Sequence, residues 1–257
     1  MMTTSPSRVA RRFVSATQWA SVAVLLAVGV RAGTAAQADE AAIRKNITKR
    51  LTEFPKIDEV TKTPVPGLYE LRVGTEIFYT DESGDFLIEG HVIDTQTKAN
   101  LTEARVAKLT AIDFAALPIA DAIVWKQGNG ARKLAIFADP NCGYCKRFER
   151  DLQAVKDVTV YTFLMPILGN DSTEKARNIW CSKDTTKAWR DWMLDGAAPA
   201  KSIGQCDSAA LARNTTLGRK HRINGTPALV FEDGKRVPGA MSAEQVEKQL
   251  VASRKAG

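Results

Sequence analysis

From Asp39 onward apolar residues recur at helical spacing: Ile43, Ile47, Leu51 and Phe54 share one face while Arg44, Lys45, Lys49 and Arg50 occupy the others. This periodicity predicts a short amphipathic helix. The next stretch, IDEVTKTPVPGLYELRVGTEIFYTDESGDFLIEGHVIDT, is rich in Val, Ile, Phe and Tyr and is broken at Pro64, Pro66-Gly67, Gly74, Ser83-Gly84 and Gly90. Such a composition with such breaks predicts a small antiparallel sheet packed on the helix. A unit of about 60 residues buries a modest core and is marginal alone, so association through it is a reasonable source of stability. In NLTEARVAKLTAIDFAALPIAD, Leu101, Val106, Leu109, Ile112 and Phe114 predict a connecting helix that Pro118 ends.

After Ala122 the pattern changes again. Residues 122–126 and 133–138 read as strands around the turn Gly128-Asn129-Gly130, followed by a helix carrying Phe148, Leu152 and Val155. VTVYTFLM is apolar enough throughout to lie inside a sheet. Residues 171–221 read as mostly helical, TPALVFEDGKRVPG as a hairpin with Asp233-Gly234 at its turn, and residues 243–253 as a closing helix. The order strand, helix, strand, helices, hairpin, helix predicts an α/β domain over residues 118–257, joined by a helical linker, 100–117, to an N-terminal α+β module, 39–99.

The N-terminus has a different character. Arg8, Arg11 and Arg12 precede an uncharged stretch from Phe13 to Val30, and Ala36-Gln37-Ala38 offers a small-residue cleavage site. This is the layout of an export signal, with cleavage expected after Ala38. An uncleaved anchor is the alternative, although Ser15, Thr17, Gln18 and Ser21 dilute the apolar run. Arg11-Arg12 leaves twin-arginine export open. Removal of residues 1–38 takes away four arginines and no acid, which lowers the net charge from +7 to +3. The basicity is thus largely a property of the leader, and no Lys/Arg cluster interleaved with aromatics asks for nucleic acid. No long apolar run follows the leader, so a soluble mature chain is expected. Four cysteines in an exported chain can persist as disulfides.

Two of those cysteines carry the candidate chemistry, in FADPNCGYCKRFERDL. Covalent haem attachment needs His directly after the second cysteine, where Lys146 stands. Structural zinc wants a second close ligand pair, which Cys181 and Cys206 do not form. A Cys-His hydrolase would have to recruit His91, in the expected N-terminal sheet, or His221, near a helix end where it complements the dipole. Thiol-disulfide chemistry fits better. A cysteine capping a helix after a strand faces free backbone N–H groups and the positive end of the dipole, which favours its thiolate. Cys142 is therefore expected to be the exposed attacking thiolate, aided by Lys146 and Arg147, and Cys145, one turn in, the buried thiol that resolves a mixed disulfide. Gly143 allows the tight turn and Tyr144 offers an aromatic face to a bound chain. A purely structural bridge is the competing reading of an isolated CxxC. Thr226-Pro227 opens the strand ALVFE, where a proline has no N–H to give the ladder.

CGYC after an apolar strand, Gly225-Thr226-Pro227 before another, and an export signal make residues 118–257 resemble the thioredoxin superfamily. GLYELRVGTEIFYTDESGDFLIEGHVIDTQTKANLTEARV further resembles the N-terminal module and linker of the periplasmic disulfide isomerases DsbC and DsbG, and CGYC is the form typical of DsbC. The resemblance implies a V-shaped homodimer formed by cystatin-like N-terminal modules, with two thioredoxin-like domains facing a cleft for misfolded, disulfide-containing exported proteins. It implies that Cys142 is the nucleophile, Cys145 the resolving thiol and Pro227 a cis-proline whose preceding Thr226 pairs with a substrate strand. Cys181 and Cys206 correspond to a structural disulfide in a helical insertion, with a free reactive pair as the alternative. Asp139 is given no role beyond ending its strand. No cofactor or metal is implied; a membrane reductase resembling DsbD is the implied partner. A DsbA-like oxidase and a holdase chaperone are the rival readings, the first leaving residues 39–117 unexplained.

Overall fold

The computed structural model describes residues 32–255; most of the expected leader lies outside them, and the expected cleavage point after Ala38 falls within the first helix, α1 (Ala32–Arg50). None of the described helices is long and apolar enough to cross a membrane. The chain divides into two compact units, one holding residues up to Leu71 with Phe78–Ile88, the other Arg72–Ile77 with Glu89 onward.

α1 covers a four-stranded sheet of order β1-β2-β3-β4, formed by Glu59–Lys62, Leu68–Val73, Glu76–Asp81 and Leu87–Ile88, of which all but the β2-β3 hairpin end belongs to the first unit. The helical period correctly placed Ile43 and Ile47, which are buried with Ile57, Val60, Tyr69 and Leu71. The helix stops at Arg50, however, so Leu51 is exposed, and Phe54 reaches this core from the following turn, edge-on to Phe78 at 5.3 Å. Along β2 and β3 buried positions alternate with more accessible ones, as expected of a sheet covered on one face.

The expected connecting helix is shorter than its apolar spacing suggested. α2 spans Leu101–Leu109, capped by the Asn100 side chain, which accepts from the Glu103 amide at 3.0 Å. Ile112 and Phe114, read from the sequence as part of its stripe, lie beyond it. The Ile112 amide bonds to Gly234 O at 2.9 Å, Asp113 caps a 3₁₀ turn over Phe114–Ala116, and both apolar side chains are buried with Phe137, Phe163 and Val230. Ile112 continues the three-residue spacing of Val106 and Leu109 whereas Phe114 does not, and here burial against a sheet outweighed continuation of the helix.

The second unit is built on a five-stranded sheet of order β11-β10-β8-β9-β7. Its strands are β7 (Ile123–Gln127), β8 (Arg132–Ala138), β9 (Val158–Leu164), β10 (Ala228–Phe231) and β11 (Arg236–Pro238), after the small pair β5 (Ile93–Asp94) and β6 (Ala99–Asn100). Only β8 and β9 run parallel, connected through α3 (Gly143–Asp151); β7, β10 and β11 join antiparallel. The central strands β8, β9 and β10 are covered on both faces, which is why they read as nearly continuous apolar runs. Inserted between β9 and β10 are α4 (Asn170–Trp180), α5 (Thr185–Arg190), a single π-helical turn over Asp191–Asp195 and α6 (Ala209–Lys220). α7 (Ala243–Lys255) closes the chain over β8 and β10 and contributes Val246 and Leu250 to the core. Cys181 and Cys206 are disulfide-bonded across the inserted segment, where Trp180 Nε1 also donates to Asp207 O at 3.0 Å.

Candidate active site

The parallel pair β8-β9 requires a crossover, and the crossover begins where β8 ends, so Asp139-Pro140-Asn141 turns the chain directly into α3 with Cys142 as its N-cap. Cys142 is extended at φ −73° and ψ 116°, its amide donates to Asp139 O at 3.1 Å, and its sulfur accepts from the Cys145 amide at 3.4 Å. The sulfur thus satisfies one of the N–H groups that every helix leaves open in its first turn.

Opposite Cys142 stands the start of β10. The Thr226-Pro227 peptide is cis, and the Cys142 thiol donates to Thr226 O at 3.2 Å. Because β10 pairs with β8 in the register Ala228↔Phe137, residues 226 and 227 come level with the turn that follows β8. The family resemblance implied a cis-proline opposite the motif, and sheet register is what creates the juxtaposition.

One expectation is corrected by this packing. Cys142 is not exposed: only 6% of its surface is accessible, with the Thr226 carbonyl against its sulfur. Cys145 is 2% accessible, and burial, the largest influence, pushes its thiol well above the ordinary cysteine range. The two cysteines therefore differ in environment more than in gross accessibility. Tyr144 between them is 69% exposed, and Gly143 has open space where a side chain would begin.

Sequence reasoning missed several supporting residues. Trp192, on the π-helical turn, donates from Nε1 to Pro140 O at 2.6 Å, and the Lys146 ammonium sits 3.7 Å from the centre of its ring. Lys146 is thus a packing partner of the active-site turn as well as a positive charge beside it, and burial with the nearby Lys175 lowers its pKa. Asn141 Nδ2 donates to Asp171 at 2.6 Å, tying the turn to α4. Glu149, one turn beyond Cys145 on α3, is 2% accessible and accepts from Trp189 Nε1 at 2.7 Å. Asp139, which the sequence left without a role, is fully buried and accepts four hydrogen bonds. An acid at the end of an otherwise apolar strand, three residues before a CxxC, was the available signal.

The two histidines stand apart from these contacts. His91 pairs with Asn100, and His221 is the C-cap of α6, where burial, then Lys220 and Arg236, lower its pKa in place of the dipole-favoured charge expected from its position.

Comparison with known proteins addresses both units. Residues 34–103 match the disulfide bond isomerase protein N-terminal domain, and residues 119–253 match a thioredoxin-like domain. A probable thiol:disulfide interchange protein DsbC from Bordetella pertussis is 42% identical over 214 residues, covering 83% of this chain and 74% of that protein. The thiol:disulfide interchange protein DsbC of Escherichia coli K12 is 29% identical over 223 residues, covering 84% of this chain and 89% of its own. The crystal structure of a disulfide interchange protein from Neisseria gonorrhoeae superposes with a TM-score of 0.51 at 41% identity, covering 54% of this chain and 99% of that one. A CxxC pair at the head of a thioredoxin-like crossover helix, preceded by the matching N-terminal domain, completes the case that the chain belongs to the DsbC family of thiol:disulfide interchange proteins.

Proposed function

We propose that this protein reduces and isomerises incorrect disulfides in exported proteins, with Cys142 as nucleophile and Cys145 as resolving thiol. One observation carries the reading: the Cys142 sulfur lies at a helix N-terminus, 3.2 Å from the Thr226 carbonyl beside a cis-proline, while the Cys145 thiol is sealed behind it and held protonated by burial. The Cys142 thiolate attacks one sulfur of a substrate disulfide; a Cys142–substrate bond forms, the substrate S–S bond breaks, and the released sulfur leaves with the electron pair as a thiolate. That thiolate either attacks another disulfide of the same chain, giving isomerisation, or takes up a proton. In the second case Cys145 gives up its proton and attacks the Cys142 sulfur, releasing reduced substrate and leaving a Cys142–Cys145 disulfide.

Gly143, Tyr144, Thr226 and Pro227 border the nucleophile and bind the substrate chain, with the Thr226 backbone pairing with an extended strand. The oxidised pair is recharged by a dithiol reductase, for which a membrane protein resembling DsbD is the candidate. Export to the periplasm, cleavage after Ala38 and an accompanying chaperone activity belong to the same reading. Dimerisation through the N-terminal unit is supported by Phe86, Leu87 and Ile88, which are 70%, 36% and 48% exposed at the β4 edge of its sheet.

Reactivation of a scrambled multi-disulfide protein tests the proposal, comparing the mature chain with Cys142→Ala and with a form beginning at Ala111, which keeps Ile112 and Phe114 in their core. Loss of reactivation in both variants is expected. Full activity in the shortened form, or net oxidation of reduced substrate by the intact protein, would favour an oxidase.

A further inference from the structure

Trp192 makes contacts that its packing does not require. Three residues earlier Trp189 fills the core, fully buried, whereas Trp192 packs only partly against it. Trp192 lies on the π-helical turn Asp191–Asp195, and such turns are rare and recur at functional sites. Trp189 reaches Glu149 within α3; Trp192 reaches the turn ahead of α3, donating from Nε1 to Pro140 O at 2.6 Å. Proline has no N–H, so its carbonyl is the one backbone group by which that residue can be held. The neighbouring Asn141 is held from the same inserted segment through Asp171, which pairs with Lys175, whose Nζ lies 5.0 Å from the centre of the Trp192 ring. Both residues ahead of Cys142 are thus tied to the helices between β9 and β10. The same ring carries the Lys146 ammonium, 3.7 Å from its centre. Lys146 stands in the first turn of α3, its amide donating to Cys142 O at 3.0 Å, and helical side chains lean toward the N-terminus. The ammonium therefore rests one indole ring away from the Pro140 carbonyl, at the turn that presents Cys142. Among the described residues no carboxylate forms an ion pair with it, and its charged neighbours Lys175 and Arg150 are both cations.

We propose that Trp192 is a positioning residue whose ring and indole N–H hold the Lys146 ammonium and the Pro140 carbonyl together at the head of α3, where the fixed charge favours the Cys142 thiolate and so the dithiol form of the Cys142–Cys145 pair. The inference rests on the function proposed above and deepens it by naming what biases the pair toward isomerisation. A cation held partly out of water and left without an acid partner acts on a nearby thiolate more strongly than one loose in solvent, where water and salt screen it. A pair that favours its dithiol state is less prone to close on itself. The Cys142–substrate mixed disulfide then persists longer, and the substrate's own thiols have more time to resolve it into a new pairing.

The test equilibrates the full mature chain with mixtures of reduced and oxidised glutathione and reads the fraction of Cys142–Cys145 disulfide by alkylation and mass spectrometry. Wild type is compared with Trp192→Leu, Trp192→Phe, Lys146→Met and Trp192→Leu/Lys146→Met, and urea denaturation is recorded for each. Trp192→Leu should move the equilibrium toward the disulfide by about fivefold, on the scale of a partly desolvated cation–π contact. Lys146→Met should move it the same way by at least as much. Trp192→Phe keeps a ring face for the ammonium and loses only the N–H, so it should fall between wild type and Trp192→Leu. The double variant should shift by less than the sum of its parents, because the ring acts through the ammonium. Lost stability in Trp192→Leu with an equilibrium within about twofold of wild type, below the contact's expected worth, would make the tryptophan a packing residue and overturn the proposal. Additive shifts in the double variant, or a Trp192→Phe shift as large as that of Trp192→Leu, would overturn it too. Should Trp192→Leu fail to fold, Lys146→Met decides: an equilibrium within about twofold of wild type refutes the role of the charge. No substrate protein takes part in this measurement. An equilibrium that follows these changes in a protein that never reactivates scrambled substrate would therefore overturn the isomerase reading and leave the positioning role standing.

Discussion

Glu149→Gln should make the stability of the thioredoxin-like unit less sensitive to pH. The carboxyl lies inside the core, with one oxygen on the Trp189 indole and Oε2 without a hydrogen-bond partner among the described residues. Burial pushes its pKa from 4.5 up to about 7, against weaker opposing effects of the Trp189 hydrogen bond and the Arg190 charge. A folded-state value above the unfolded one means that the native protein holds the proton more tightly. The stabilisation is fully present below about pH 4.5 and is lost as pH rises through about 7. At about 1.4 kcal/mol per tenfold change in proton affinity, the loss amounts to about 3 kcal/mol. Glutamine retains the acceptor for Trp189 and carries no titrating proton. Urea denaturation followed by tryptophan fluorescence suits the measurement, because Trp125, Trp180, Trp189 and Trp192 all lie in this unit and Trp19 lies in the expected leader. The variant should match wild type near pH 4.5 and exceed it by about 3 kcal/mol at pH 8.5, the difference opening between those limits. A difference that stays flat across this range would refute the reasoning. One of opposite sign would mean that Glu149 is ionised and sustained by Arg190.

Three further outcomes are expected. Cys181→Ser/Cys206→Ser should cost about 3 to 4 kcal/mol, as the chain-entropy model gives for a loop of this length, and should leave the thiol titre of the Cys142–Cys145 pair unchanged by mass spectrometry after alkylation; loss of that titre would instead make the second pair part of the redox centre. Cys145→Ala should accumulate Cys142-linked mixed disulfides, visible as higher-mass bands on non-reducing gels, whereas absence of such adducts would count against Cys145 as the resolving thiol. Ile88→Lys should shift the proposed dimer to monomer in light scattering, and an unchanged dimer mass would move the contact away from the β4 edge.

Much of the architecture was legible because it rests on local pattern. The apolar runs of β8, β9 and β10, the Asp233-Gly234 turn, the helix headed by Cys142 and the Ile43/Ile47 face of α1 are all imposed by residues near one another in sequence, and the structure places them as their spacing predicts. The family could also be read, since CGYC, Gly225-Thr226-Pro227 and the N-terminal stretch are short and distinctive. Periodicity failed where competing interactions were distant: Ile112 kept the spacing of Val106 and Leu109 but was drawn, with Phe114, to the sheet. The rest of the site had no local signature. Register between β10 and β8 brings Thr226 to the Cys142 sulfur and removes most of its exposure. Trp189 and Trp192 reach Glu149 and Pro140 across about forty to fifty residues, and Asp139 collects amides from beyond β9. Sequence by itself thus determined most of the elements and which cysteine heads a helix, because helix and strand periods and a capping residue act within a turn or two. Tertiary structure alone decided what surrounds Cys142 and Cys145, because burial, and with it the raised pKa of Cys145, depends on residues that only packing brings together.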